Sequence, residues 1–255
     1  MTQLNVLLTH QDPAAVDANV RYLRGVAPQA RFVVAHGGRA EDCDRVALAH
    51  KVFVDDETLR GPPRRHQSYH LTLAALHEAF VRDDPEIRSV YVFEWDHVVL
   101  RGDFEAPLSE LAERTGAHFL GKTCVERTAT NWHHYTRYRR DEALLAHLRE
   151  HSVRDDPGRL FGTLGNGFWL SREALAAYVA VGERPVVYGE LYLPTILYHL
   201  GFDVAEIPGE LYREVRYEPE VSLDELLALK RAGGWFAHPF KTLGAFDRIL
   251  AAPGP

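Results

Sequence analysis

Apolar residues in this chain come in short runs that end in polar or glycine-rich clusters. Leu4-Asn5-Val6-Leu7-Leu8-Thr9, Arg31 to Ala35 and Lys51 to Val54 have the length and β-branched content of strands. Asp12-Pro13 then predicts a helix start, with Asp12 at the N-cap and Pro13 at the first helical position. That helix is expected to run to about Arg24 and stop at Gly25. A helix from about Arg65 to Val81, a strand Val90-Tyr91-Val92-Phe93, a helix Leu108 to Arg114 and a strand His118 to Val125 follow. Later come a helix Leu191 to Leu200 and a strand Phe202 to Ile207. Strands and helices in alternation argue for parallel α/β units. Glu126 to Pro157 reads as an inserted segment with a helix Asp141 to Glu150. Gly165-Asn166-Gly167 reads as a turn feeding a short strand, Phe168-Trp169-Leu170. Ser171 and Ser222 are placed to cap the helices after them. No repeat or linker divides the chain, so residues 1–255 are expected to form one α/β domain.

Val90 to Phe93 is apolar at every position, which suits a strand buried on both faces. It runs straight into Glu94-Trp95-Asp96. Along an extended chain, residues i and i+2 point the same way, so Glu94 and Asp96 converge while Trp95 faces away. Ligands of open α/β sheets sit at the carboxyl ends of strands. Two acids there suit a hard divalent cation that shares its oxygen ligands with substrate phosphates. The same pair would equally open an ordinary polar loop. Glu190 opens an apolar helix, where the macrodipole favours its ionised form. There it can act as a general base toward a hydroxyl, or simply complement the helix charge. A late His238, in His-Pro-Phe-Lys, offers a nitrogen ligand when neutral. Lys241 offers a positive donor to phosphate.

Composition narrows the classes. The chain has 255 residues, 46% hydrophobic and 25% charged, which are globular values with length enough for a sizeable core. A formal net charge of -7 gives no global basic field for a nucleic-acid polymer. Cys43 and Cys124 follow no metal or redox spacing, so a reducing cytoplasmic setting is expected. Met1 to Thr9 lacks a basic leader, and no apolar run approaches the roughly 18 residues of a membrane span.

Four features fall in order: Glu94-Trp95-Asp96, then Gly165-Asn166-Gly167, then Gly189-Glu190 opening a helix that ends at Gly201-Phe202-Asp203-Val204, then His238. Together they resemble the GT-A superfamily of nucleotide-sugar-dependent glycosyltransferases. The resemblance covers nearly the whole chain through short motifs. It implies a Rossmann-like three-layer α/β/α fold with a mostly parallel sheet, a nucleoside-diphosphate-sugar donor, and Mn2+ or Mg2+ as cofactor. Glu94 and Asp96 would stand in the Asp-x-Asp metal motif, with Asp96 the first ligand and His238 completing the site. Trp95, between the two acids, would belong to the donor site. The glycine turn would lie beside donor sugar and acceptor. Glu190 would match the acidic motif that supplies the catalytic base or an acceptor-binding group, although Leu191 stands where the family often has Asp. A base there would favour inversion.

The nucleotide is expected across the first strand ends. Thr9, His10 and Gln11 follow strand one, and Asp55 and Asp56 follow strand three. Arg65, with Gln67 and Ser68 nearby, precedes the acid pair's strand and would suit phosphate. Trp132, Tyr135 and Arg137 in the inserted segment suit a polar acceptor, since rings stack on sugars and guanidinium groups bind hydroxyls or anions. A helix face packed on the core would look the same. His66, His70 and His77 share one helix face by spacing, without a zinc-helix pattern. Within the fold class, a sugar nucleotidyltransferase would want a glycine-rich basic loop after strand one, which Thr9-His10-Gln11-Asp12-Pro13 does not supply. A non-catalytic nucleotide- or glycan-binding protein of the same fold is the alternative from another class, and a metal-dependent phosphohydrolase is a third.

Overall fold

The runs of apolar residues do pair into one sheet. A computed structural model describes residues 2–55, 68–128 and 131–254. Its seven strands are β1 (Thr2–Thr9), β2 (Arg31–His36), β3 (Lys51–Phe53), β4 (Ile87–Glu94), β6 (Phe119–Glu126), β7 (Phe161–Ser171) and β8 (Val204–Glu206), with β5 (Val98–Val99) lying outside this sheet. The order is β3-β2-β1-β4-β7-β6-β8. All neighbours pair in parallel except β7, which runs antiparallel to both β4 and β6. The expected class, α/β with a mostly parallel sheet, is what the chain adopts.

Both faces of the sheet are covered. Leu4 and Val6 of β1 and Val90 and Val92 of β4 face one core, with Leu73, Leu76, Leu175, Leu191 and Ile196 from the helices. Leu7, Tyr91 and Phe93 face the other, with Val16, Leu23, Leu108 and Phe236. Alternate residues of each strand thus serve opposite cores, so the buried strands read as unbroken apolar runs. Helix starts follow the capping chemistry. Asp12 accepts from Ala15 N at 3.0 Å ahead of the helix Pro13–Val26, and Ser222 forms a full capping box with Glu225 ahead of Leu223–Arg231. Gly116 closes the helix Glu105–Thr115 with φ 66°, in the left-handed region that glycine adopts without strain.

Three sequence expectations change. The helix expected from Arg65 is described from Ser68 to Leu76 and widens into a π turn at His77–Val81. Gly165-Asn166-Gly167 is no turn but the middle of the eleven-residue β7. Glycine is a strong turn signal in sequence, but in a strand it also marks close approach of other groups. A second small sheet is added: β5, β9 (Glu214–Val215) and β10 (Phe236–His238), in the order β5-β10-β9. The inserted segment supplies two helices between β6 and β7, His133–Tyr138 and Glu142–His151, the latter capped by Asp141.

The register fixes where the site falls. Leu8 pairs with Glu94, Thr9 with His36, and His36 with Phe53. The carboxyl ends of β1 to β4 therefore form one lip. Among the described residues no helix is long and apolar enough to cross a membrane.

Candidate active site

Glu94 is the last residue of β4, and the chain turns at once: His97 N donates to Glu94 O at 3.0 Å. The two acids therefore converge across a tight turn rather than along an extended strand. Trp95 packs against the core that contains Phe93, with His10 edge-on to its ring at 6.0 Å. Asp96 is buried, and its carbonyl accepts from Phe240 N at 2.9 Å, which docks the segment carrying His238. His238 ends β10, held between β5 and β9. Its Nε2 lies 3.3 Å from Asp96 Oδ1 and 3.7 Å from Glu94 Oε2.

One ligand atom from each of Glu94, Asp96 and His238 lies within 4.8 Å of the others. Asp96 Oδ1 is buried and faces His238 Nε2 at 3.3 Å, and a buried carboxylate is costly unless a proton donor or a cation stands beside it. His238 Nδ1 lies 2.7 Å from the carbonyl oxygen of Arg216. A carbonyl only accepts, so the proton sits on Nδ1 and a neutral ring turns its Nε2 lone pair toward the acids. Such a backbone partner behind a ligating imidazole fixes both tautomer and ring plane. Two carboxylates and one imidazole fit Mn2+ or Mg2+, which favour oxygen donors. Burial works against a charged imidazole here, yet Asp96 and Glu94 outweigh it and push His238 up to about 9. A cation entering the site thus displaces a proton.

Three consecutive residues of β7 tie this cluster to Glu190. Gly165 N donates to Glu190 Oε1 at 2.8 Å, and Gly165 O accepts from the Tyr69 hydroxyl at 2.9 Å. The Asn166 side-chain amide lies 2.9 Å from His238 Nδ1, and because that nitrogen carries the proton the amide presents its oxygen to it. Gly167 sits against His97, Tyr91 and Tyr212, whose atoms would lie 3.0 to 3.1 Å from a Cβ placed there. Tyr91 joins His97 Nε2 at 2.9 Å and Tyr212 at 2.6 Å. Burial, with help from the charge of His238, holds His97 well below the usual histidine range, so it is a neutral packing partner behind the cluster.

Glu190 opens the helix Gly189–His199, as expected. Burial raises its carboxyl to about 7, with the charge of Glu94 adding to the rise and hydrogen bonds from Gly165 and Tyr188 opposing it. An acid titrating near neutrality is suited to general base work. A Cβ on Gly165 would meet the Tyr69 hydroxyl at 2.0 Å and Glu190 Oε1 at 2.9 Å. Gly165→Ala should therefore cost about 1–3 kcal/mol through overpacking and shift Glu190. Urea denaturation measures the loss, and the double variant with Tyr69→Phe should recover part of it.

The remaining expected residues spread along the lip. Thr9 Oγ1 accepts from Gln11 N at 3.1 Å, and Gln11 O lies 3.0 Å from His36 Nε2. His10 and Asp55 are exposed. Lys241 is exposed and fastened through its backbone N–H to Glu220 at 2.8 Å. Asp56 and Arg65 lie outside the described residues, as do His66, Gln67 and the Ser68 side chain. Trp132 and Tyr135 pack against the core beneath the helix Gly189–His199. Trp132 stands 6.3 Å from the Tyr188 ring, with His134 stacked on Tyr188 between them. Arg137 is exposed, over the Tyr138 ring at 5.2 Å. Tyr69 and Tyr188, both in touch with the Glu190 region, were not singled out from sequence. A cavity of about 440 Å³ beside Gly189 is lined by Tyr69, His70, Tyr178, Arg184 and Tyr192.

The fold and site define an α/β protein with an acid–acid–histidine cluster and a raised glutamate at the carboxyl lip of its sheet. No protein-family model and no curated protein matches the chain. Among solved structures it is similar to the galactosyltransferase LgtC in complex with donor and acceptor sugar analogs, at 11% identity over 97% of this chain and 95% of that one, TM-score 0.44. It is similar to the mannosyltransferase PcManGT from Pyrobaculum calidifontis in complex with GDP-Man and Mn2+, at 15% identity over 81% of this chain, TM-score 0.44. The chain spans 54% of that mannosyltransferase. A CMP:2-keto-3-deoxy-manno-octonic acid synthetase complexed with CTP matches at 13% identity over 81% of this chain and 89% of that one, TM-score 0.46. The residues of the site, rather than these distant likenesses, support the function below.

Proposed function

We propose that this chain is a metal-dependent glycosyltransferase that moves a sugar from a nucleoside diphosphate to a hydroxyl acceptor, with inversion. The observation that carries this reading is the meeting of Glu94, Asp96 and His238, one ligand atom of each within 4.8 Å of the others, around a buried carboxylate oxygen. Asp96 and His238 would hold Mn2+ or Mg2+, with Glu94 as the third ligand. The cation, when bound, neutralises charge on the departing diphosphate.

The protein's own part is positioning and proton transfer. Thr9, His10, Gln11, Trp95 and Asp55 line the lip where a nucleoside would lie, and Lys241 follows the metal strand toward the diphosphate. The Glu190 carboxylate takes the proton from the acceptor hydroxyl. The acceptor oxygen then bonds to the anomeric carbon, while the bond from that carbon to the diphosphate oxygen breaks and the electron pair leaves with the diphosphate. Gly165 N–H and Tyr188 hold the carboxylate in place. Tyr188, bonded to this acid, and Trp132, 6.3 Å from the Tyr188 ring, would form a wall for a polar acceptor, with Tyr135 and Arg137 of the inserted segment as further contacts.

The raised acid has opposite effects on activity and stability. Transfer needs the carboxylate, so kcat/KM should climb with pH through about 7. The folded acid keeps its proton to a higher pH than the unfolded chain, whose value is near 4.5. Stability should therefore fall as pH rises from about 4.5 to about 7. Glu190→Gln should remove this part of the slope. A pH–rate profile and urea midpoints across that window test both. An activity limb absent near 7, with an unchanged stability slope in the variant, would count against Glu190 as the base.

A further inference from the structure

The inserted helix Glu142–His151, anchored by buried Leu144 and Leu148, carries a second cluster along the edge of that same face. His147, Glu150 and His151 stand at i, i+3 and i+4, so a helix presents all three on one face. One ligand atom from each lies within 4.8 Å of the others, and the two imidazole rings are 4.5 Å apart. We propose that these three residues form a second cation site, separate from Glu94, Asp96 and His238, that takes Zn2+.

Four observations support it. Two imidazoles with one carboxylate suit Zn2+ better than Mg2+ or Mn2+, which favour oxygen. The His-x-x-Glu-His spacing on a helix is one that zinc proteins use. His147 Nε2 lies 2.8 Å from the Tyr192 hydroxyl. That partner orients the ring in the way that outer partners orient ligating histidines. Glu150 and His151 also sit in the last turn of their helix, where the macrodipole favours a cation. All three residues line a recess of about 460 Å³ together with Ala143 and Ala146. Glu183 and Arg184 form its far wall. The Arg184 guanidinium is held by stacking on the Tyr178 ring at 4.1 Å and by a bond to the Tyr178 carbonyl, near enough for its charge to add to burial and His151 in lowering His147. Glu183 adds negative charge to the same recess.

The test uses the untagged full chain carrying Asp96→Ala, which disables the first cluster. Titrated with zinc chloride in a calorimeter, this protein should bind one equivalent, and its melting temperature should rise with Zn2+. Adding His151→Ala should weaken that binding by more than about tenfold, the least that even an outer partner of a metal ligand contributes. Glu150→Ala, at an exposed position, should weaken it less and guards against misfolding as the cause. Overturning results are no zinc uptake by the Asp96→Ala protein, or equal uptake after His151→Ala.

Discussion

Glu190→Gln is expected to lower kcat by about 10²- to 10⁴-fold, the range that a positioned general base contributes. The amide keeps the size of the carboxylate but cannot take a proton. Its oxygen can still accept from Gly165 N–H, which now holds Glu190 Oε1 at 2.8 Å. The strand, the helix start and the cavity beside Gly189 should therefore stay as they are. Donor affinity should change little, because in the proposed reaction Glu190 meets the acceptor hydroxyl and not the diphosphate. Steady-state kinetics with a donor and a competent acceptor separate these effects. A fall in kcat at unchanged donor KM marks a group that acts in the transition state. A variant with full turnover would remove the base while leaving the metal cluster untouched.

Asp96→Ala is the second large effect. It should abolish metal-dependent turnover and leave His238 and Glu94 without the carboxylate that brings them together. His238 is buried, and its imidazole is pushed up to about 9 chiefly by the two acids acting against burial. With Asp96 gone, one of those acids is lost, and burial should draw the imidazole back down. A proton-detected titration of His238 should show that fall. Manganese bound by the wild type, read by electron paramagnetic resonance, should remain free in the variant. Turnover at wild-type levels with manganese still bound would show that the cation, if any, sits elsewhere.

Much of the scaffold was legible because the physics was local. Val90 to Phe93 is apolar at each position, and β4 is buried on both faces as that pattern requires. Asp12, Ser171 and Ser222 cap their helices because short polar side chains satisfy free backbone N–H groups. Glu94, Asp96 and Glu190 could be picked out by their place at element ends. What escaped depends on distant partners. β10 has three residues, too few for a periodic signal, and exists because β5 and β9 flank it. Hence His238 could be named from sequence while its strand could not. Gly165-Asn166-Gly167 looked like a turn because the crowding that demands glycine comes from Tyr69, Glu190, His97 and Tyr212, residues remote in the chain. The raised acidity range of Glu190 is likewise a product of burial that no local pattern carries. His147, Glu150 and His151 were visible as letters, but their helix phase acquires meaning only beside Tyr192 and the open recess.

In the proposed enzyme Glu94, Asp96 and His238 grip a cation that in turn holds a nucleoside diphosphate. The most direct measurement is thermal unfolding across a panel of nucleoside diphosphates and their sugars, with manganese and with chelator. A ligand at 100 times its dissociation constant should stabilise the fold by about 2.7 kcal/mol. At least one nucleotide should raise the melting temperature with manganese, lose that effect in chelator, and lose it again in Asp96→Ala. Equal shifts with and without the metal, or no shift across the whole panel, would contradict the account.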